Sequence, residues 1–327
     1  MKVIEHLERA SEPLISYEII PPKRGGSIQG VFDTIESIMP FNPPFIDVTS
    51  HAAEIDLQKQ PGGVYKKRIK RKRPGTIGLC AAIEHRFKVD AVPHLLCQGF
   101  TRQETEDALI ELNYLGIENV LAIRGDDPGY QKELQDGRTR NEYAIDLVNQ
   151  IHEMNNGNYL EDLANATPTD FCIGVAGYPE KHFEAPNLDW DIQQTKAKIE
   201  AGADYIVTQM FFDNQRYFDY LDRCREAGIE VPIIPGLKIL TSKRHISFLP
   251  RYFHIDLPEE LSQEVAAAEG ASVSEIGIEW ALNQTMELLE AGVPAIHFYI
   301  MQSSTVASQV VRKVTGTSEL FAVPGKG

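Results

Sequence analysis

The sequence predicts a single (β/α)8 barrel, a TIM barrel, occupying residues 1–327 as one domain. Three observations carry that prediction. Short runs rich in β-branched and aromatic residues alternate with segments of helical composition along the whole chain. No Ser/Gly linker, internal repeat or compositional break divides it. Polar and titratable residues gather where the strands end, the face at which such barrels build their sites. An open doubly wound sheet is the alternative, weakened by the absence of a GxGxxG after any early strand.

The elements follow in order. The first strand spans 14–20 and is stopped by Pro21 and Pro22, with a helix near 30–39. The second strand is 45–49. Residues 66–75 form the one strongly basic run, Lys66 to Arg73, read as a solvated loop or as a site for an anionic partner. Residues 76–83 read as a helix, because Pro74-Gly75 breaks the chain before it and Thr76 can cap it. The third strand is 91–97. Thr101 caps the next helix, with Glu104 completing a capping box and Gly116 closing it. The fourth strand is 120–123 and a helix covers 141–154. The Asn-rich stretch 155–169 reads as surface loop. Strand five covers 171–176, followed by a helix over 191–201 that Gly202 stops. Strand six covers 205–209, with a helix over 215–227 stopped at Gly228. Strand seven is 232–236, a helix-rich segment fills 241–291, strand eight is 295–299, and a last helix covers 304–314.

Composition narrows the function. The chain has 327 residues, a hydrophobic content of 43% and a net charge of −15. That balance fits a globular protein and argues against nucleic-acid or membrane binding as its main task. The N-terminal stretch lacks the basic-then-apolar pattern of a signal peptide. The four cysteines, Cys80, Cys97, Cys172 and Cys224, are dispersed and form no CxxC, which fits a reducing cytoplasm and core packing. No HExxH, nucleophile elbow or P-loop occurs, and no metal site is expected.

What remains is a set of polar groups at the strand ends. Glu18 shares a strand face with Ser16 and Ile20. If that strand is buried, its carboxyl is pushed towards the protonated form and becomes a candidate general acid. Asp47, Thr49 and His51 end strand two. His94 lies on strand three, Arg124 and Asp126 end strand four, and Tyr178 and His182 follow strand five. Thr208 and Gln209 end strand six, and His297 and Tyr299 lie on strand eight. An acid, an aspartate beside an arginine, and several hydrogen-bonding and aromatic groups suit a large planar cofactor and proton or hydride transfer.

The blocks YEIIPPK (17–23), DVTSHA (47–52), PHLLC (93–97), AIRGDDP (122–128), VAGYPEKH (175–182), TQMFFD (208–213), IPGL (234–237) and HFY (297–299) carry a resemblance. In order and spacing they resemble methylenetetrahydrofolate reductases, in the bacterial form that lacks a C-terminal regulatory domain. The resemblance covers about residues 14–300. It implies a tightly but noncovalently bound FAD, with NADH or NADPH as the exchanging donor. Hydride then passes from the flavin to methylenetetrahydrofolate, giving methyltetrahydrofolate for methionine synthesis. By the same resemblance Glu18 is the acid that protonates the departing folate nitrogen. Asp126 lies near flavin and pterin and stabilises a cationic iminium; its plain alternative is a partner for Arg124. Gln209 hydrogen-bonds the substrate, and Tyr299 either lines the pterin site or fills the barrel.

The FAD positions that the resemblance implies are Thr49, Ala52, His94, Arg124, Gly125, Asp126, Ala144, Ala176, Tyr178, His182, Asp191, Gln194 and Lys198. Lys198 and Gln194 lie four apart on one helix. Two departures stand out: Lys243 replaces an aromatic residue after strand seven, and Ser303 replaces an arginine near strand eight. A homo-oligomer is expected. The competing readings are the same barrel fed by a protein electron donor, and another FAD barrel of the proline dehydrogenase type.

Overall fold

A computed structural model of the protein describes residues 1–126, 129–130, 132–301 and 303–317. Asp127 and Pro128 of the fourth strand's motif, and residues 318–327 of the expected domain, lie outside the described residues.

The chain opens with α1 (Val3–Arg9), which the sequence reading did not identify. Its Val3 is fully buried against Phe45, Val92, Leu121 and Cys172, and its backbone N–H donates to Asn119 Oδ1 at 2.7 Å. The helix therefore plugs the N-terminal end of the barrel. Next come β1 (Leu14–Ile19), α2 (Gln29–Ile38) and β2 (Phe45–Val48). The long connection after β2 folds into an antiparallel hairpin of β3 (Glu54–Lys59) and β4 (Tyr65–Lys70).

The remainder alternates as expected. It runs α3 (Thr76–Phe87), β5 (Asp90–Leu96), α4 (Arg102–Tyr114), β6 (Asn119–Ile123), α5 (Ala144–Asn155), β7 (Cys172–Gly177), α6 (Leu188–Glu200), β8 (Tyr205–Thr208) and α7 (Asn214–Glu226). It ends with β9 (Ile233–Ile234), β10 (Gly236–Leu237), α8 (His245–Phe253), α9 (Glu259–Ala267), α10 (Ser272–Glu290), β11 (Ala295–Met301) and α11 (Thr305–Thr317).

The parallel sheet has the order β10-β11-β1-β2-β5-β6-β7-β8-β9. Because β9 and β10 are two halves of strand seven, split at Pro235, this order closes a barrel of eight staves. Pro235 has no N–H to give, but its carbonyl accepts from His297 N–H at 2.9 Å, so the break stays stitched to β11. Between sheet and helices lies one continuous apolar layer, which includes Tyr17, Ile19, Ile46, Val48, Ile206 and Phe298. A satellite core of Met210, Phe212, Leu240, Leu249, Leu261, Val265 and Val273 fastens α8–α10 over the end of β8. All four cysteines are buried and free.

Four local readings are corrected. The basic run is strand β4 rather than loop: Glu54 and Asp56 sit opposite Lys70 and Arg68, so cross-strand carboxylates partly neutralise it. Its periodicity was hidden because lysine and arginine occupy both faces. Thr76 does not cap α3. Gly75 holds the cap position, and Thr76 Oγ1 donates instead to the Thr49 carbonyl at 3.2 Å. Helix α5 starts at Ala144, because the Asn141 side chain turns inward and donates to Gln150 Oε1 at 2.7 Å. Strand seven is two short pieces instead of one. The Thr101–Glu104 capping box, by contrast, is formed in both directions, at 3.1 and 2.8 Å.

Candidate active site

Register builds the site. Along β1, Glu18 pairs with Tyr299 of β11 on one side and with Asp47 of β2 on the other. Leu237 pairs with Phe298, so Lys238, one residue on, stands beside Tyr299. Alternation turns these four side chains into the barrel at one level. His94 reaches the same cluster from β5: its Nε2 lies 3.3 Å from Asp47 Oδ2 and 3.6 Å from Glu18 Oε2. Glu18 is 8% exposed, His94 5% and Asp47 not at all.

Burial pushes the Glu18 carboxyl up to about 7. Asp47 adds to the rise, and His94 and Lys238 oppose it. Burial works against a charge on His94, but the hydrogen bond to Asp47 and the field of Glu18 outweigh it, so the imidazole binds its proton more tightly than usual. His297 is pushed down to about 4 by burial and stays neutral, sharing a 2.8 Å hydrogen bond with Ser16. The cluster thus holds a carboxyl that is substantially protonated at neutral pH, as a general acid requires.

The raised Glu18 value also has a stability consequence. Its folded-state value lies above the ordinary value of 4.5, so its contribution to stability is complete below pH 4.5 and is lost as pH rises through 7. Glu18→Gln is therefore expected to match the parent in thermal unfolding at pH 4.5 and to exceed it at pH 8. The gain is at most about 3 kcal/mol, the equivalent of the whole shift. Equal melting temperatures at both pH values would show that Glu18 ionises freely.

The sequence-selected cofactor positions follow the strand ends from β2 to β7. Thr49 and Ala52 follow β2; Arg124, Gly125 and Asp126 follow β6; Ala144 opens α5. Ala176 is the penultimate residue of β7, Tyr178 and His182 follow the strand, and Asp191, Gln194 and Lys198 lie along α6. Several are tied together. Tyr178 meets His182 edge-on at 4.8 Å between ring centres, and His182 N–H donates to Asp191 Oδ2 at 2.9 Å. Lys198 Nζ donates to the Ala176 carbonyl at 2.7 Å, and burial pulls its value down to about 8. Arg124 pairs with Glu184 and lies over the Tyr143 ring, whereas Asp126 is exposed and is not its partner. Gln194 is exposed on α6, one turn before the partly buried Lys198.

The chemistry of this rim bears on its fit to FAD. Thr49 Oγ1, His51 Nδ1 and Arg124 Nε are buried without a hydrogen-bond partner among the described residues. Unmet polar atoms at a barrel mouth fit a polar ligand that completes them. The cations Arg124 and Lys198 suit a pyrophosphate, and the small side chains of Ala52 and Ala176 leave room for a flat ring. The residues present fit the group.

At β8, Gln209 Oε1 accepts from Met210 N–H at 2.9 Å, which leaves its NH2 without a partner among the described residues. Tyr299 OH donates to the Thr208 carbonyl at 2.6 Å, fixing its ring across the mouth. Lys243 and Ser303 are both exposed: Lys243 Nζ donates to the Ala266 carbonyl at 2.8 Å, and Ser303 Oγ lies 3.4 Å from Thr305 Oγ1. The sequence reading missed Lys238. The available signal was the inward register 234–236–238, which puts a lysine where a barrel interior calls for an uncharged residue.

A family model described as methylenetetrahydrofolate reductase matches residues 2–315. Methylenetetrahydrofolate reductase 1 of Schizosaccharomyces pombe is 28% identical over 91% of this chain and 45% of its own length. The 5,10-methylenetetrahydrofolate reductase of Salmonella typhimurium is 28% identical over 90% of this chain and 88% of its own. The chain thus spans about half the length of the yeast relative and most of the bacterial one. A solved structure of a Clostridium thermocellum protein, described as binding two copies of 5-methyl-5,6,7,8-tetrahydrofolic acid, aligns with a TM-score of 0.62 at 15% identity. The alignment covers 97% of this chain and all of that one, and at this identity it speaks to the fold.

Proposed function

The chain belongs to the methylenetetrahydrofolate reductase family, and we propose that it reduces 5,10-methylenetetrahydrofolate to 5-methyltetrahydrofolate with NAD(P)H as donor and FAD as the resident carrier. The observation that carries this reading is Glu18, a buried carboxyl that holds its proton near neutral pH at the mouth of the barrel, below a rim of unmet polar atoms. When bound, FAD would supply a two-electron hydride carrier that one donor loads and one acceptor empties in turn.

The protein's own residues would do the rest. Glu18 would give its proton to the folate nitrogen as the carbon–nitrogen bond of the five-membered ring breaks, leaving an iminium on the other nitrogen. Hydride addition to that carbon then completes the methyl group. Asp126, exposed and unpaired with Arg124, would place a negative charge near the cation. Gln209, clamped by backbone at its oxygen, would offer its NH2 to the pterin, and Tyr299 would form a wall of the same pocket. Thr49, Ala52, His94, Arg124, Gly125, Ala144, Ala176, Tyr178, His182, Asp191, Gln194 and Lys198 would hold the cofactor. The His94 Nε2 is turned to the two carboxylates, so any contact it makes with the flavin would come from the rest of its ring.

The protein would work as a homo-oligomer in the cytoplasm, on a small-molecule folate. Among the described residues no helix is long and apolar enough to cross a membrane. Purified protein is expected to be yellow and, mixed anaerobically with NADH and NADPH in separate experiments, to bleach with at least one. Added methylenetetrahydrofolate should restore the colour and yield methyltetrahydrofolate. A colourless protein that refuses FAD would sink the flavin reading. Bleaching with neither nucleotide would transfer the donor role to a protein, a reading that the solvated Lys243 and Ser303 favour because neither is an aromatic or guanidinium platform for a ligand.

A further inference from the structure

Lys238 has no assigned role, yet its ammonium is the cation of the acid cluster. Its side chain is partly buried, and its Nζ donates to the Tyr299 carbonyl at 2.7 Å. No salt bridge joins it to a carboxylate among the described residues, so its one direct partner there is a neutral carbonyl. The carboxylate whose field reaches it is that of Glu18, two strands away at the same level. The other charged or titratable groups around Glu18 are Asp47 and His94, from β2 and β5, and Tyr299, from β11. Of these, His94 Nε2 is already turned to Asp47 Oδ2 at 3.3 Å.

We propose that Lys238 is a positioning residue for the proton transfer: the counter-charge that receives the Glu18 carboxylate once its proton has gone to the folate nitrogen. Before the transfer Glu18 is neutral and Lys238 donates to a carbonyl oxygen, with the His245 imidazole of α8 also within its field. Afterwards a bare carboxylate appears on the adjoining inward face, and the ammonium, already oriented by Tyr299, stabilises it without rearrangement. The charge separation that the transfer creates is thereby lowered at the acid, while Asp126 acts at the cation. The inference rests on Glu18 being the acid of the proposed reaction.

The test has two arms. In the first, infrared titration follows the Glu18 carboxyl in Lys238→Met and in parent, with Glu18→Gln as the blank. The titration is expected to move up by about one unit in Lys238→Met, the lower end of what an opposite charge at this range contributes. An unmoved titration overturns the proposal whatever the enzyme does, so this arm stands apart from the proposed function. In the second, the two half-reactions are followed across pH. Folate-dependent recolouring at saturating folate is expected to slow about tenfold, with its alkaline limb displaced upward, while bleaching by NAD(P)H is unchanged and Lys238→Arg recovers most of the loss. A change confined to the folate concentration needed for half-saturation would make Lys238 a ligand anchor and overturn the proposal, as would equal losses in both halves. Methionine fills the lysine stem without its desolvation cost; if that variant does not accumulate, Lys238→Gln gives the same readouts.

Discussion

Glu18→Gln is expected to separate the two half-reactions. Bleaching by NAD(P)H should stay within about twofold of the parent, since glutamine keeps the shape and the hydrogen-bonding capacity of a protonated carboxyl. Folate-dependent recolouring should fall by about 10³-fold, the span that a general acid contributes when a poor nitrogen leaving group must be protonated. The parent itself should lose the folate half-reaction on an alkaline limb near pH 7, as the buried carboxyl ionises. That limb should be missing from the residual activity of the variant. Equal losses in both half-reactions would mean that Glu18 shapes the pocket instead of delivering a proton. A limb unchanged in the variant would assign the titration to another group, and His94 would then be the first to examine.

This prediction began as a conditional argument from sequence: if the strand carrying Glu18 is buried, the carboxyl is protonated. The condition holds because of neighbours that one sequence does not reveal. Asp47 and His94 are 47 residues apart, and they meet over Glu18 only once β2 and β5 are paired. The eight staves were legible because a parallel strand covered on both faces is a short apolar run bounded by Gly or Pro. Two features were hidden by composition. In the hairpin, the lysines and arginines of β4 mask an alternation that Ile55 and Leu57 show in β3. In α1, about two turns of mixed polarity give no periodic signal, and its role as a plug depends on Asn119, far along the chain. Lys238 was missed for a third reason. Strand seven was read to end at 236, and the inward register that exposes the lysine as an anomaly runs one step past it.

That same register makes Gly236 the most constrained position near the site. A Cβ built there would sit 2.6 Å from Tyr299 Cε2 and 2.7 Å from its OH, and closer still to the carbonyl oxygen of Thr208. None of these atoms can yield cheaply. The tyrosine ring is held by its hydrogen bond to the Thr208 carbonyl at 2.6 Å, and Gly236 N–H is itself bonded to Thr208 Oγ1 at 2.9 Å. Glycine is present because β8 and β10 approach with no space for a side chain between them. Gly236→Ala is therefore expected to destabilise the protein by about 3 kcal/mol, the upper end for overpacking, as measured by urea unfolding. Because the nearest atom belongs to the backbone, removing the ring as well, in Gly236→Ala/Tyr299→Ala, should not restore the loss. Full recovery in the double variant would show that the ring was the only obstacle and that the strands have room to part. Folate-dependent recolouring should also slow in Gly236→Ala, because spreading β8 from β10 moves Lys238, two residues on, away from the level of Glu18. A variant as stable and as active as the parent would contradict both the close approach and the placement of Lys238 that depends on it.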